Sequence, residues 1–322
     1  MIYLNEEDLK QIGINWTETL EVIEKSIRCL GNDDFVQPLK PYLKFKDLKN
    51  RIIAMPSYLG GDFDKAGIKW IAGFPKNINK GLPRANSMTI LNNTDNGMPE
   101  AIICSSLLSI LRTAAVSGIM IKNYIGSRSK EKFKIGILGR GPIGKYHMRM
   151  CEELFGNSIE AIYSNSLRPI DEETYQISPK IIDVATSDEV VKNSDIIITC
   201  TVPTESYLRA KPKKGALILN VSLRDFGDNI YESVKNSIIV DSWDNVCRSG
   251  TDMEKMHLKY GVQKEDVKTL FDVIENSCMD EYNNDDTIMV NSMGMGIFDI
   301  AIATHYYKLA INQSIGQELK YI

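Results

Sequence analysis

Apolar residues recur along the first third of the chain with two different periods. Over residues 17–30 they return every three or four positions, which predicts an amphipathic helix. Shorter apolar runs predict strands at residues 51–56, 67–71, 87–91 and 101–104. Residues 92–97, which end in Asn-Gly, favour a hairpin between the last two runs. Together with a long helix predicted over residues 105–124, these elements indicate an α+β domain.

From residue 133 onward, the pattern changes to apolar strands that alternate with helices. Strands are predicted at residues 134–138, 159–163, 195–199, 216–220 and 237–240. Their nearly continuous apolar character is typical of a parallel sheet that is covered on both faces. A final helix follows residues 291–296 beyond this sheet and is expected to pack on the first domain.

The motif G-x-G-x-x-G lies where the first of these strands meets a helix predicted over residues 145–154. It consists of Gly139, Arg140, Gly141, Pro142, Ile143 and Gly144. Gly139 permits a tight turn, Gly141 lets a pyrophosphate approach the backbone, and Gly144 allows helix and strand to pack closely. Since the helix N-terminus then faces the phosphates, the loop predicts a Rossmann domain that binds a dinucleotide. A glycine-rich turn without a ligand is the alternative interpretation.

The second strand of the predicted Rossmann domain ends without the acid that binds the adenosine ribose in many NAD enzymes. Ser164, Asn165 and Arg168 occupy this place and are predicted to bind the adenosine end of the cofactor. They suit a 2′-phosphate, unless Arg168 is simply a solvated loop cation. The predicted cofactor is NAD, with NADP left open.

Composition and charge narrow the function classes. The 38 basic and 42 acidic side chains give a net charge of −4, which provides no overall attraction to nucleic acid or to a membrane surface. Neither a signal peptide nor a membrane-spanning run stands out, so we expect a cytoplasmic protein. The six cysteines are scattered without a C-x-x-C pair and the three histidines are isolated, which predicts buried free thiols and no metal site.

Five basic residues lie in or beside apolar segments of the first domain, where an unpaired charge is costly. They are Lys40, Arg51, Lys69, Arg84 and Arg112. Lys69 and Arg112 have the most apolar neighbours, so we expect them to bind a substrate carboxylate. The other three are candidates for the same task or ordinary surface residues.

Several short blocks carry a family resemblance: residues 55–56, 67–69, 111–115, 139–144, 199–201 and 292–295, with Asp299. In this combination the chain resembles the ornithine cyclodeaminase/μ-crystallin family over nearly its whole length. The resemblance implies a substrate-binding and dimerisation domain over residues 1–118, the Rossmann domain over 119–290, and a segment 291–322 that returns to the first domain. It also implies a homodimer.

Residues 35–43, 51–57 and 67–71 resemble one branch of that family, which serves 2,3-diaminopropionate biosynthesis for siderophores and peptide antibiotics. This resemblance implies an NAD(P)-dependent dehydrogenase that acts on a CH–NH bond. The implied reaction is oxidative cleavage of N-(2-amino-2-carboxyethyl)-L-glutamate to 2,3-diaminopropionate and 2-oxoglutarate. A substrate with several carboxylates agrees with the five basic residues.

The resemblance also assigns roles to individual positions. Lys69 and Arg112 match carboxylate-binding positions, Lys69 also belongs to the implied catalytic set, and Lys40 stands where many members have arginine. Arg51 and Arg84 are further candidates for substrate binding, and Asp225 matches the catalytic aspartate. Without the resemblance, Asp225 is more simply a loop or helix-capping residue. Further cofactor-binding positions are implied at Thr199, Cys200, Thr201, Ser222, Met293 and Gly294.

Three alternatives remain open. The glutamate that cyclodeaminases carry before the Met-Pro pair is replaced here by Ile53 and Ala54, which argues against ornithine cyclisation. A ketimine reductase or an amino-acid dehydrogenase with a smaller substrate fits the same motifs. A crystallin-like protein that binds the cofactor without turnover is the alternative from a different class.

Overall fold

The computed structural model of the protein describes residues 1–178 and 180–320. The chain divides into two compact units: Met1–Arg112 together with the chain from Met295 onward, and Thr113–Gly294. The boundaries predicted from the sequence lie after residues 118 and 290, and the last two residues of the predicted C-terminal segment lie outside the described residues. The first division falls inside one continuous helix, where the hydrophobic pattern gives no sign of a boundary.

The first unit begins with an α+β arrangement. Its strands up to the boundary are β1 (Ile2–Asn5), β2 (Phe35–Val36), β3 (Tyr42–Leu43), β4 (Arg51–Leu59), β5 (Lys65–Gly73), β6 (Ala85–Asn92) and β7 (Pro99–Cys104). The helices are α1 (Glu6–Ile12), α2 (Trp16–Gly31) and α3 (Leu107–Arg128), of which α3 continues into the second unit. The predicted amphipathic helix, the strands and the antiparallel hairpin of β6 and β7 are therefore confirmed.

The second unit alternates strands with helices. Its strands are β8 (Phe133–Leu138), β9 (Ile159–Asn165), β10 (Ile181–Asp183), β11 (Ile196–Thr199), β12 (Leu217–Asn220), β13 (Ile238–Val240), β14 (Lys268–Thr269) and β15 (Ile288–Asn291). Its helices after α3 are α4 (Pro142–Phe155), α5 (Glu172–Ile177), α6 (Ser187–Asn193), α7 (Tyr231–Val234), α8 (Trp243–Val246), α9 (Asp252–Tyr260) and α10 (Leu270–Glu275).

These strands form one parallel sheet in the order β10-β9-β8-β11-β12-β15-β13-β14. Its central strands β11, β12 and β15 are buried along their whole length, which confirms the predicted parallel sheet covered on both faces. The sequence did not predict β10, β14 or β15. The last of these lies between β12 and β13, a position that the order of strands along the chain does not reveal.

The end of the chain completes the first unit with helix α11 (Gly296–Gln313) and strand β16 (Gln317–Glu318). The first sheet has the order β16-β1-β7-β6-β5-β4-β2, with β3 also paired to β4. Helix α11 packs on β4, β5, β6 and α2, and its first turns are almost entirely buried. Because side chains alternate along a strand, Lys69 of β5 faces α11 whereas Trp70 points to the other face and is 43% exposed.

The six cysteines are free thiols. The predicted burial is confirmed for Cys29, Cys151 and Cys278 and is wrong for the other three residues, which are partly exposed. Among the described residues, none of the helices is both long enough and apolar enough to span a membrane.

Candidate active site

Each of the three glycines of the G-x-G-x-x-G loop is a glycine for a different structural reason. Gly139 has a φ of +92°, and a Cβ there would lie 2.6 Å from the Cys200 carbonyl oxygen. A Cβ on Gly144 would lie 2.0 Å from the Gly139 carbonyl oxygen. A Cβ on Gly141 would meet nothing within 4 Å. The first and third glycines are therefore required by the fold itself, while the space beside the second is open to a ligand.

Helix α4 begins directly at this loop. Pro142 occupies the first turn, where its lack of an N–H costs nothing, and the N-cap Gly141 offers no side chain to the free amides. Uncapped amides and the positive end of the helix dipole favour a phosphate. The residues present thus fit the pyrophosphate of a dinucleotide.

His147 fixes α4 to α3 within the second unit. Its Nδ1 lies 2.8 Å from the Ile143 carbonyl oxygen, which can only accept, so this nitrogen carries the proton. Its Nε2 then accepts from the Ser117 hydroxyl at 2.9 Å. Burial lowers the pKa of His147 to about 4, so the ring is neutral at physiological pH. Ser117 of α3 thus anchors α4 through His147.

The side chains at the end of β9 stabilise the neighbouring loops. Ser164 is fully buried and donates to the Ile137 carbonyl at 3.0 Å, and Asn165 donates to the Val184 carbonyl at 2.9 Å. Arg168 is exposed. The guanidinium of Arg140 donates to Asp183 and to the backbone carbonyls of Ser166 and Arg168 after β9. Of the predicted residues at the adenosine end, only Arg168 has an exposed side chain.

Asp225 lies in the loop after β12, and three hydroxyl groups donate to its fully buried carboxylate. Thr201 and Tyr207 donate to Oδ1, the latter at 3.0 Å, while Ser222 donates to Oδ2. Burial, and then the charge of Asp225, raise the pKa of Tyr207 well above its usual 10. The structure therefore brings Asp225 together with the predicted Thr201 and Ser222, and adds Tyr207, which sequence reasoning missed.

A second aspartate supports this loop. Oδ2 of Asp252 accepts from Asn220 Nδ2 and from the Phe226 amide, both at 3.2 Å. Burial raises the pKa of Asp252 to about 6. Oδ1 of Asn220 accepts from the Leu223 amide at 3.1 Å, where the backbone has a φ of +67°. The loop that carries Asp225 is thus held at Leu223 by Asn220, the last residue of β12, and at Phe226 by Asp252, the first residue of α9.

The remaining predicted cofactor residues also lie at the carboxyl edge of the second sheet. Thr199 ends β11, and its hydroxyl lies 2.7 Å from Ser222 Oγ. Burial raises the pKa of Cys200 well above its usual value, so this thiol is not a reactive nucleophile. The Gly294 amide donates to Asp241 Oδ2 at 2.6 Å, and Met293 packs against the hydrophobic core.

The first unit contains a separate cluster of charges. Lys69 Nζ lies 2.7 Å from Asp299 Oδ2, and Arg112 Nε lies 3.3 Å from Oδ1 of the same carboxylate. Burial lowers the pKa of Lys69 to about 8, whereas the charges of Lys69, Arg112 and Lys40 outweigh burial and keep that of Asp299 below its usual value. Three cations thus surround one buried carboxylate. Asp299 was noted only for family resemblance, and its role in the site was missed.

The other two predicted cations lie near each other. Arg51 packs over the Tyr42 ring at 5.5 Å, and its stem passes 3.8 Å from where a Cβ of Gly73 would lie. Burial and then the charge of Arg51 lower the pKa of Arg84. Over residues 1–178 and 180–320, neither guanidinium has a carboxylate within ion-pair distance. This pair is therefore a second positively charged place in the first unit, available to an anion.

The family model for the ornithine cyclodeaminase/μ-crystallin family matches residues 7–314 of the chain. The chain belongs to this family. It is also 33% identical to N-((2S)-2-amino-2-carboxyethyl)-L-glutamate dehydrogenase of Staphylococcus aureus, an alignment that covers 99% of this chain and 98% of that protein. It is 24% identical to an alanine dehydrogenase of Archaeoglobus fulgidus, over 99% and 98%. These relatives confirm the predicted family and the prediction of an amino-acid dehydrogenase.

Solved structures share the fold. A Δ(1)-pyrroline-2-carboxylate reductase of Thermococcus litoralis, in complex with NADH and L-proline, superposes with a TM-score of 0.89 at 23% identity and covers 99% of this chain and 100% of that one. An archaeal alanine dehydrogenase dimer with bound NAD gives a TM-score of 0.86 at 22% identity, over 100% and 99%. The predicted fold class is confirmed.

Proposed function

We propose that the protein catalyses the NAD-dependent oxidative cleavage of N-(2-amino-2-carboxyethyl)-L-glutamate to 2,3-diaminopropionate and 2-oxoglutarate. The observation that carries the proposal is the number of cations in the first unit. Lys69 and Arg112 share the single carboxylate of Asp299, with Lys40 close enough to lower its pKa, and Arg51 and Arg84 form a second cationic place. A substrate with three carboxylates uses both places, whereas alanine or proline has only one carboxylate.

Substrate binding falls to these side chains. Lys69 and Arg112 are held by Asp299, so their charged ends are fixed before the substrate arrives. Arg51 and Arg84 repel each other when no anion is present, and a bound carboxylate relieves that repulsion. The cluster around Asp299 is proposed for one end of the substrate and the arginine pair for a distal carboxylate.

Cofactor binding falls to the second unit. Gly139, Gly141 and Gly144 shape the loop, and the first amides of α4 would hold the pyrophosphate. NAD, when bound there, supplies the acceptor for the hydride from the substrate CH–NH carbon. The oxidised C=N carbon then takes up water, and its C–N bond breaks to give the keto acid and the primary amine. Two electrons and one proton leave the substrate with the hydride, and one further proton is released.

Asp225 is the proposed general base, and the Tyr207 hydroxyl is the proposed route by which protons reach its buried carboxylate. The carboxylate itself is fully buried, while Tyr207 is 37% exposed and donates to it at 3.0 Å. A proton taken from the amine or from attacking water therefore reaches Asp225 through a hydroxyl group. Thr201 and Ser222 hold the carboxylate in place during this transfer.

The test is turnover with purified protein, NAD and a panel of amino acids, following NADH absorbance and identifying 2-oxoglutarate and 2,3-diaminopropionate. We expect the tricarboxylate to be cleaved and alanine, proline and ornithine to react at least about a hundredfold less efficiently. Arg84→Gln is expected to raise KM for the tricarboxylate. Preferential oxidation of alanine or proline, or cofactor binding without any turnover, would refute the proposal. The proposal includes a homodimer and a cytoplasmic location.

A further inference from the structure

The short strand β10 places an acid beside the end of β9. Asp183, the last residue of β10, is in register with Ser164 of β9 in the parallel sheet. Dinucleotides bind at the carboxyl edge of such sheets, with the adenosine ribose near the end of the second strand. The acid that is missing from β9 is therefore present one strand further toward the sheet edge.

Arg140 of the glycine loop holds this acid in place. Its Nη1 donates to Asp183 Oδ1 at 2.8 Å, and its Nη2 donates to Oδ2 at 3.3 Å. The Arg140 side chain is 2% exposed, whereas that of Asp183 is 46% exposed. The carboxylate, and not the guanidinium, is therefore the member of the pair that a ligand meets.

The same arginine shapes the loop after β9. Its Nε donates to the Arg168 carbonyl at 3.0 Å, and its backbone amide donates to Ser166 Oγ at 3.3 Å. Ser166 Oγ also accepts from the Arg168 amide at 3.2 Å. Asp183 thus lies beside a loop whose backbone is fixed by Arg140.

We propose that Asp183 makes the enzyme select NAD over NADP. A carboxylate has about four acceptor positions, so the pair with Arg140 leaves positions free for the adenosine ribose hydroxyls. A 2′-phosphate at the same place is repelled by the exposed carboxylate of Asp183. The buried Arg140 does not offset this repulsion, because its guanidinium is already paired with Asp183. The proposal rests on the proposed dinucleotide enzyme and names the residue that sets its cofactor preference.

The test measures dissociation constants for NADH and NADPH from nicotinamide fluorescence, without substrate. We expect the wild-type protein to bind NADH at least about tenfold more tightly than NADPH. Asp183→Asn keeps the shape of the side chain but removes its charge, and is expected to shift the ratio of the two constants toward NADPH by about tenfold or more. Asp183→Ser is the second variant, in case the amide disturbs the pair with Arg140.

Two controls locate the effect. Asp285→Asn removes the same charge from an exposed residue that precedes β15 and pairs with Lys214, so its ratio should equal that of the wild type. Adding Arg168→Ala to Asp183→Asn shows whether the exposed arginine contributes to the gain in NADPH affinity.

The proposal is overturned if the wild type binds both cofactors equally, if the ratio is unchanged in folded Asp183 variants, or if both affinities fall together, which would indicate a purely structural residue. Each of these results leaves the proposed function intact. That function fails instead if the wild type binds neither cofactor or binds one without turnover.

Discussion

Lys69 and Asp299 lie 230 positions apart in the chain and form a buried ion pair of 2.7 Å between β5 and α11. Each side chain is almost completely removed from water, so neither charge is tolerable without the other. Arg112 completes the group on Oδ1 of the same carboxylate. The carboxylate therefore fixes the charged ends of Lys69 and Arg112, as the proposed binding of a substrate carboxylate requires.

Asp299→Asn should destabilise the protein strongly. The substitution keeps the shape of the side chain but leaves Lys69 and Arg112 without their carboxylate, and breaking a buried pair in this way costs about 3–5 kcal/mol. Urea unfolding followed by circular dichroism measures the loss. The matched control Asp285→Asn, at an exposed pair, should lose less than about 1 kcal/mol. An equal effect of both variants would contradict this account of the cluster.

Binding of carboxylate ligands should weaken as the pH rises through about 8. Burial lowers the pKa of Lys69 to about 8, so its ammonium is charged below this pH and neutral above it. Titration of the NADH-bound protein with 2-oxoglutarate between pH 6.5 and 9.5 measures the affinity directly. Lys69→Arg retains its charge throughout this range, and its affinity should stay nearly constant. A pH profile shared by wild type and variant would assign the titration to another group.

His147 should make the protein less stable in mild acid. Its pKa in the folded state is about 4, below the ordinary 6.5, so only the unfolded chain takes up a proton between these values. The contribution is fully present above about pH 6.5 and is lost as the pH falls toward 4, in total about 3 kcal/mol. Unfolding free energies of wild type and His147→Gln should therefore converge as the pH falls. Ser117→Ala, which removes only the partner hydroxyl, should keep most of the wild-type pH dependence.

Tyr207→Phe should lower kcat by about tenfold to a hundredfold with little change in KM. The variant removes one donor to Asp225 and the exposed hydroxyl that connects the buried carboxylate to its surroundings. Steady-state kinetics in water and in heavy water test this, since a slowed proton transfer limits turnover and should increase the solvent isotope effect on kcat. Tyr231→Phe, whose ring stacks on Tyr260 on the same unit, should behave as wild type. An unchanged kcat in Tyr207→Phe would leave Asp225 without the proposed relay.

Much of the fold is predictable because the spacing of apolar residues that marks a helix or a strand can be recognised within a short stretch of sequence. The amphipathic helix α2, the hairpin of β6 and β7, and the central parallel strands each carry a clear pattern within a short window. The short strands lack such a window: β10 has three residues and β14 has two. They form because they pair with a longer neighbour, and a single sequence contains no record of that pairing.

The candidate site likewise has a part that the sequence predicts and a part that it does not. The glycine loop is readable because strand, loop and helix follow one another directly in the chain. The roles of Asp299 and Tyr207 cannot be predicted from the sequence, because they depend on contacts made by folding. Asp299 meets Lys69, and Tyr207 meets Asp225. Asp183 was missed because the sequence points to the end of β9, whereas the acid stands at the end of the adjacent strand.

The three glycines of the loop would have different fates if the protein lost its cofactor during evolution. Selection for a folded chain would still retain Gly139 and Gly144, whose neighbours leave no room for a side chain. Gly141 alone would be free to drift, because only a ligand needs the empty space beside it. In descendants of this protein, a larger residue at that one position would therefore mark a lineage that kept the scaffold and abandoned the chemistry.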